Sequence, residues 1–399
     1  MAEISSDIDI YSFSDSFEYY SVSYYDYIAS DECAGFGWNL LNSTNEKIDS
    51  LLNPFLLQII VLYLQPLVAV FGVIGNLAFI FIVFKVPYMR NRINTILLNL
   101  SVADFLYLLV GTGEKFVKII HSPVLNDSSV FGQICQCFII TPLVNAVSFM
   151  SLLLISLISV ERYIAVCRPH QYVKLTDCRR TLVYMGSVWI FSFALAVLLI
   201  PSRLDFSVTC IQWPDTPLYA NFPAKVGFCD AKSDFWVSLD ECLQTFPFFI
   251  ALTVNVVCFA KITAGLYSRM APSCKIRQSQ LHEHRGKVKK PPTHIVTRML
   301  LINGIAFFVL ATPFHVTNAV QFIENIIPEW WCNCSEFKEM SVLFLYMNSA
   351  VNPLIYGITN PTYRRAYRSF FLEMRYSSQR RQSTISSSDS PSDRRTTSI

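Results

Sequence analysis

A chain of 399 residues is long enough for two or three soluble domains, but 52% of it is hydrophobic, only 15% is charged, and its mean hydropathy is +0.38. Soluble chains carry about 25% charged residues, and one crossing of a bilayer's ~30 Å hydrocarbon core takes roughly 20 mainly apolar residues. Seven such runs exclude a soluble enzyme, and the net charge of +3 matters only through where the charges lie.

The chain opens with a head, residues 1–53, whose first 50 positions hold 10 Asp or Glu and one Lys. Tyr11, Tyr19, Tyr20, Tyr24, Tyr25 and Tyr27 stand among the acids as candidate sulfation sites that would steer a basic ligand by long-range attraction. The head reads as disordered. It has no apolar stretch behind a basic start, so the first span is expected to act as its own insertion signal.

Runs near 54–84, 93–120, 136–166, 181–201, 242–269, 294–322 and 339–357 predict seven membrane helices within residues 54–357. The first contains Gly72, Gly75 and Asn76, a close-packing face that ends in a buried amide. The second contains LSVAD, which puts Asp104 mid-membrane, and the third ends in ERYIAVCRP, with Glu161 and Arg162 at its mouth. Trp189 lies in the fourth, Pro313 kinks the sixth, and NPLIY closes the seventh with Asn352, Pro353 and Tyr356. Ionisable residues inside a span are costly and mark functional sites. Odd-numbered connections, their span edges and the tail hold 25 of the 32 Lys and Arg, which puts the head outside and the tail in the cytoplasm.

Residues 358–376 predict a membrane-surface helix. Tyr363, Tyr367, Phe370, Phe371 and Met374 share one face, and Arg364, Arg365, Arg368 and Arg375 the other. Residues 377–399 form a disordered tail in which 12 of 23 residues are Ser or Thr. Phosphorylation at Ser383, Thr384, Ser386, Ser387 and Ser388 by a receptor kinase would create a patch for a basic, arrestin-type partner. Thr397-Ser398-Ile399 fits strand addition to a PDZ groove. Basic residues of the inner loops, such as Arg285, Lys287, Lys289 and Lys290, suit an acidic partner or anionic membrane lipids, and nothing points to nucleic acid. Glycosylation sequons begin at Asn42, Asn126 and Asn333. A channel or transporter would want inverted repeats or discontinuous helices, and the sequence has neither.

In this order and orientation the motifs resemble those of the rhodopsin-like (class A) G-protein-coupled receptors, over residues 54–373, and within them the peptide-receptor branch. The resemblance implies an all-α membrane protein, a seven-transmembrane bundle with a short amphipathic eighth helix, and no enzymatic activity. It implies a ligand-operated switch in which the sixth span swings outward and Arg162 leaves Glu161 to meet a heterotrimeric G protein. Phe307, Pro313, Asn352, Pro353 and Tyr356 would take part. No cofactor is required, but Asp104, Ser151, Asn348, Ser349 and Asn352 match the family's sodium pocket, where sodium would favour the inactive state.

Val144 stands where amine receptors of the family carry Asp, and Tyr346 where opsins carry Lys. A plasma-membrane receptor for an extracellular peptide or small secreted protein is therefore expected. The alternatives are an atypical scavenging or arrestin-biased receptor and a lipid or metabolite receptor. Glu114, Asn145, His315, Asn318, Gln321, Glu324 and Tyr346 are the candidate pocket residues.

Eight cysteines fall on the outer side and are expected to pair there. Cys137 matches the family's cysteine at the top of the third span; its partner would be Cys229, favoured by its distance to the fifth span, with Cys210 as the alternative. Cys33 bridging to Cys332 or Cys334 would resemble chemokine-type receptors. The sequence departs from the family at Ala311 (a bulky tryptophan elsewhere), Ala251 (proline), Phe259 (tyrosine), Pro169-His170 (a leucine) and Thr293 (an acid). No cysteine follows Cys334, so the family's palmitoyl anchor has no counterpart.

Overall fold

The computed structural model describes residues 37–41, 43–175, 178–270, 293–327 and 335–370. Among these, seven helices are long and apolar enough to cross a membrane: Phe55–Lys85, Arg92–His121, Ile134–Cys167, Arg179–Leu198, Asp234–Tyr267, Ile295–Glu324 and Phe337–Thr359. A helix satisfies its own backbone polar groups, which lipid cannot do. The second and third spans bury 56% of their most apolar window and the fifth 17%, so the former two form the centre of the bundle and the fifth lies at its lipid face. A further helix, 361–370, turns away from the seventh span at Asn360. Its predicted residues Phe371, Met374 and Arg375 lie outside the described residues.

The fifth helix begins at Asp234, eight residues before the predicted 242. Hydropathy marks where a helix enters the lipid core, whereas this helix continues into water, with Asp234 in its first turn favoured by the helix dipole. The first, second and third spans each contain a π-helical segment, at Ile60–Leu64, Tyr107–Gly111 and Ile134–Ile140, which no periodicity in the sequence announces.

Interhelical contacts follow the polar and small residues of the spans. A Cβ on Gly72 would lie 2.7 Å from the Ala350 Cβ, so only glycine lets the first and seventh spans approach this closely. One turn on, Asn76 donates through Nδ2 to the Ser349 carbonyl at 3.0 Å. Trp189 Nε1 donates to Asn99 Oδ1 at 2.9 Å and ties the fourth span to the second. Asn91 caps the second span, its Oδ1 accepting from the Asn94 N–H at 3.1 Å.

On the head side, β1 (Gly37–Asn39), β2 (Asp205–Gln212) and β3 (Lys225–Asp230) form one sheet in the order β1-β2-β3. β1 runs parallel to β2 with Gly37 opposite Cys210, and β3 antiparallel with Cys229 opposite Phe206. Together with the helix Asn45–Leu51 they enclose a second core of Leu40, Ile48, Val124, Ile211 and Val226. Residues 37–41 and 43–53 are thus ordered, where composition predicts disorder. Composition weighs a segment alone, whereas Leu40 and Ile48 find their apolar partners on the connection between the fourth and fifth spans.

Cys137 and Cys229 are joined, with Cα atoms 5.9 Å apart, which decides between the two candidate partners. Cys210 is also disulfide-bonded. Cys33 and Cys332 lie outside them too, as do Asn42, Asn333 and the phosphorylation sites. Cys135 and Cys242 are free thiols, against the expectation that the outer cysteines pair. Residues two apart on a helix point to different faces, so Cys135 does not share the side on which Cys137 meets Cys229. Asn126 is exposed on the head side, in a left-handed turn with φ of 60°.

Candidate functional site

At the tail end of the bundle, Arg162 donates from Nε and Nη2 to Glu161 Oε2, at 2.9 and 2.7 Å. Both residues are buried. Arg92 of the second span places its Nε 3.9 Å from Glu161 Oε1. Sequence reasoning missed the fourth member: Tyr172 donates its hydroxyl to Glu161 Oε1 at 3.1 Å and accepts a long 3.5 Å contact from Arg162 Nη2. It sits on the short helix Pro169–Leu175, which starts at the Pro169 noted as a departure; proline is well suited to a first helical position. Burial, followed by the Glu161 charge, pushes the Tyr172 phenol up, so it stays a protonated donor. An ion pair sealed away from water adds little stability when intact, but removing one partner is strongly destabilising. Such a group suits a two-state contact.

In the middle of the bundle Asp104 is buried, and no Lys or Arg pairs with it among the described residues. Its Oδ2 accepts from Asn352 Nδ2 at 2.6 Å and its Oδ1 from the Ser151 hydroxyl at 3.4 Å. The side-chain oxygens of Asn348 and Asn352 are buried without a hydrogen-bond partner. An uncompensated carboxylate beside orphaned carbonyl oxygens is a donor set suited to a hard cation. The sodium-pocket residues therefore fit such an ion.

Above this cluster lies a cavity of about 140 Å³ bounded by the second, third, fifth, sixth and seventh spans. Ser151, Asn348 and Ser349 form part of its wall, so it reaches the Asp104 cluster, and Ala311 adjoins it where a tryptophan would fill space. Of the predicted pocket residues, Asn145 and His315 line it. The His315 ring stacks on Phe248 with centroids 4.0 Å apart. Tyr346 packs at 5.1 Å against Tyr107, a lining residue, and Asn318 Nδ2 reaches Gln244 Oε1 at 3.5 Å.

Glu114, Gln321 and Glu324 do not line this cavity. Glu114 accepts from Lys118 at 2.8 Å and from Gln136 at 2.6 Å, and Gln321 from Lys338 at 2.7 Å. These bonds hold both near the head-side rim, with the Lys115–Glu339 pair at 2.9 Å and the Arg203–Asp240 pair at 3.7 Å. Tyr107, Ser148 and Gln244 line the cavity and were missed. The signal was spacing: Tyr107 is three residues from Asp104, Ser148 three from Ser151, and such pairs share a helix face.

Phe307 is buried beside Phe308, and Tyr356 is fully buried 5.2 Å from the Phe79 ring. Pro313 and Pro353 lie inside the sixth and seventh helices. The fifth carries its proline at Pro247, one turn before Ala251, whose carbonyl accepts from Asn255 Nδ2 at 2.8 Å. Phe259 meets Gly304, where an added Cβ would lie 2.5 Å from the ring. The side chain of Thr293 is outside the described residues.

The chain is 28% identical over 337 residues to the neuromedin-U receptor 2 of Mus musculus, covering 82% of this chain and 80% of that one. It is 27% identical over 338 residues to the receptor of that name from Homo sapiens, covering 82% and 76%. With the mouse G-protein coupled receptor 39 the identity is 23% over 343 residues, covering 78% and 71%. The family model described as 7 transmembrane receptor (rhodopsin family) matches residues 75–356, a stretch that contains Asp104, the Glu161–Arg162 pair and the NPLIY motif. The family is one of receptors, not of enzymes, and by this match the chain is a member of the rhodopsin family of seven-transmembrane receptors.

Proposed function

We propose that the protein is a plasma-membrane receptor, head outside, for an extracellular peptide, and that it signals through heterotrimeric G proteins by outward movement of the sixth span. The observation that carries this reading is the buried Glu161–Arg162 pair at the tail end, with the half-buried Tyr172 donating to it. A contact of that kind is stable while dry and is exchanged when a partner offers Arg162 other acceptors. The names of the relatives make a neuromedin-U type peptide the first probe. The rim of paired charges, with Glu114, Lys115 and Glu339, would meet the ligand first.

Sodium is proposed to bind at Asp104 with Ser151, Asn348, Ser349 and Asn352 and to favour the inactive arrangement. An arrestin, a receptor kinase and a PDZ protein are proposed partners of the tail, and Asn42, Asn126 and Asn333 are proposed glycan sites. The reading is tested by Gα–βγ dissociation across a panel of Gα subtypes, in cells expressing wild type or Arg162→Ala at matched surface level. Dissociation driven by peptide in wild type and absent in Arg162→Ala is the expected result. Peptide uptake or arrestin recruitment with no response from any Gα would overturn it in favour of a scavenging receptor.

A further inference from the structure

A groove of about 690 Å³ opens on the lipid-facing side between the first span, the seventh span and helix 361–370. Its depth comes from small residues. A Cβ on Gly75 would stand 3.3 Å from Pro353, and one on Gly357 would meet only the Tyr367 ring, at 3.8 Å. Ile74, Leu354 and Ile358 form apolar, largely exposed walls. The groove's end nearest the tail is different: Arg364 and Arg368 line it, and neither forms an ion pair among the described residues. Tyr367 lines it too, and its hydroxyl is buried without a hydrogen-bond partner. A buried, unsatisfied hydroxyl is costly, and this one lies where an incoming ligand could supply the acceptor.

The helix bearing these groups is fixed in place. Tyr363 stacks on Phe79 at 6.0 Å and donates its hydroxyl to Asn94, and Phe370 stacks on Phe81 at 6.4 Å. The groove is therefore preformed. We propose that it binds one anionic phospholipid, with an acyl chain lying between the first and seventh spans and the phosphate against Arg364, Arg368 and Tyr367. Two guanidiniums beside a hydroxyl match several phosphate oxygens, through charge-assisted hydrogen bonds; a sterol's single hydroxyl would leave the arginines unmatched. The lipid would add a membrane contact to those that already hold helix 361–370 against the first and second spans. The inference needs only the membrane-spanning bundle and is independent of the ligand and G protein proposed above.

The test is native mass spectrometry of the full chain released from nanodiscs of phosphatidylcholine mixed with phosphatidylserine, counting lipids retained per receptor. Wild type is expected to keep one phosphatidylserine, preferred over phosphatidylcholine on the order of tenfold, as two basic residues at an anionic headgroup would give. R364Q/R368Q should lose the preference, and G357L, which fills the groove where its Cβ has room, should lose the retained lipid. Both changes fall on exposed or open positions. Retention of phosphatidylserine by G357L at the wild-type level would overturn the groove assignment, leaving only general surface attraction. Equal retention of both lipids by wild type, preferential retention of added cholesterol, or full displacement by inorganic phosphate would overturn it as well.

Discussion

The Tyr172 hydroxyl is the smallest part of the tail-end switch and the easiest to remove alone. A hydrogen bond to a charged group contributes about 1.5–3 kcal/mol; Tyr172 is only partly buried, so about 1 kcal/mol is the better expectation. Tyr172→Phe should raise ligand-free Gα activation severalfold, measured as basal nucleotide exchange, and an unchanged basal rate would show the contact to be passive. Because the phenol is pushed up, Tyr172 stays a protonated donor through the ordinary tyrosine range and loses its proton only in strong alkali. No pH sensitivity near neutrality comes from this residue. At Asp104 the matching experiment is thermal unfolding in sodium or choline chloride. Sodium at about ten times its Kd should stabilise wild type by about 1.4 kcal/mol, and Asp104→Asn should abolish the difference.

Among the elements, the first and seventh spans show how a small residue sets a helix pair. A side chain at Gly72 collides with Ala350 and Leu108, whereas one at Gly113 meets nothing within 4 Å. Gly72→Ala should cost about 1–3 kcal/mol by overpacking. Gly113→Ala should be neutral, or gain about 0.5–1 kcal/mol from lower unfolded-chain entropy. Thermal unfolding of the two variants side by side checks the contrast. The sequence marked the Gly72–Asn76 face as a packing face without naming the seventh span as its partner. Similarly, ERYIAVCRP marked Arg162, but Tyr172 was invisible, because the turn of Pro169–Leu175 that brings it back under Glu161 is a matter of tertiary path.

At the scale of the molecule, the described residues form two cores. The bundle core runs from Phe79 to Ala366, and the head-side core of Leu40, Ile48, Val124, Ile211 and Val226 is separate from it. Leu40→Ala should loosen the head-side core by about 2–5 kcal/mol. Faster hydrogen exchange in β2 with unchanged exchange in the spans would confirm independent units; faster exchange throughout would show one. The seven spans, the charge asymmetry, Asp104, the Glu161–Arg162 pair and NPLIY were all legible in the sequence. A bilayer makes long apolar runs and buried polar residues local properties of the chain, and each can be read without knowing its neighbours. Tertiary structure alone decided the rest: the pairing of β1 with β2, Tyr172 beneath Glu161, and a cavity lined by Ser148 and Gln244 but not by Glu114. Each depends on which distant segments meet, and no periodicity or composition along a single segment encodes its partner.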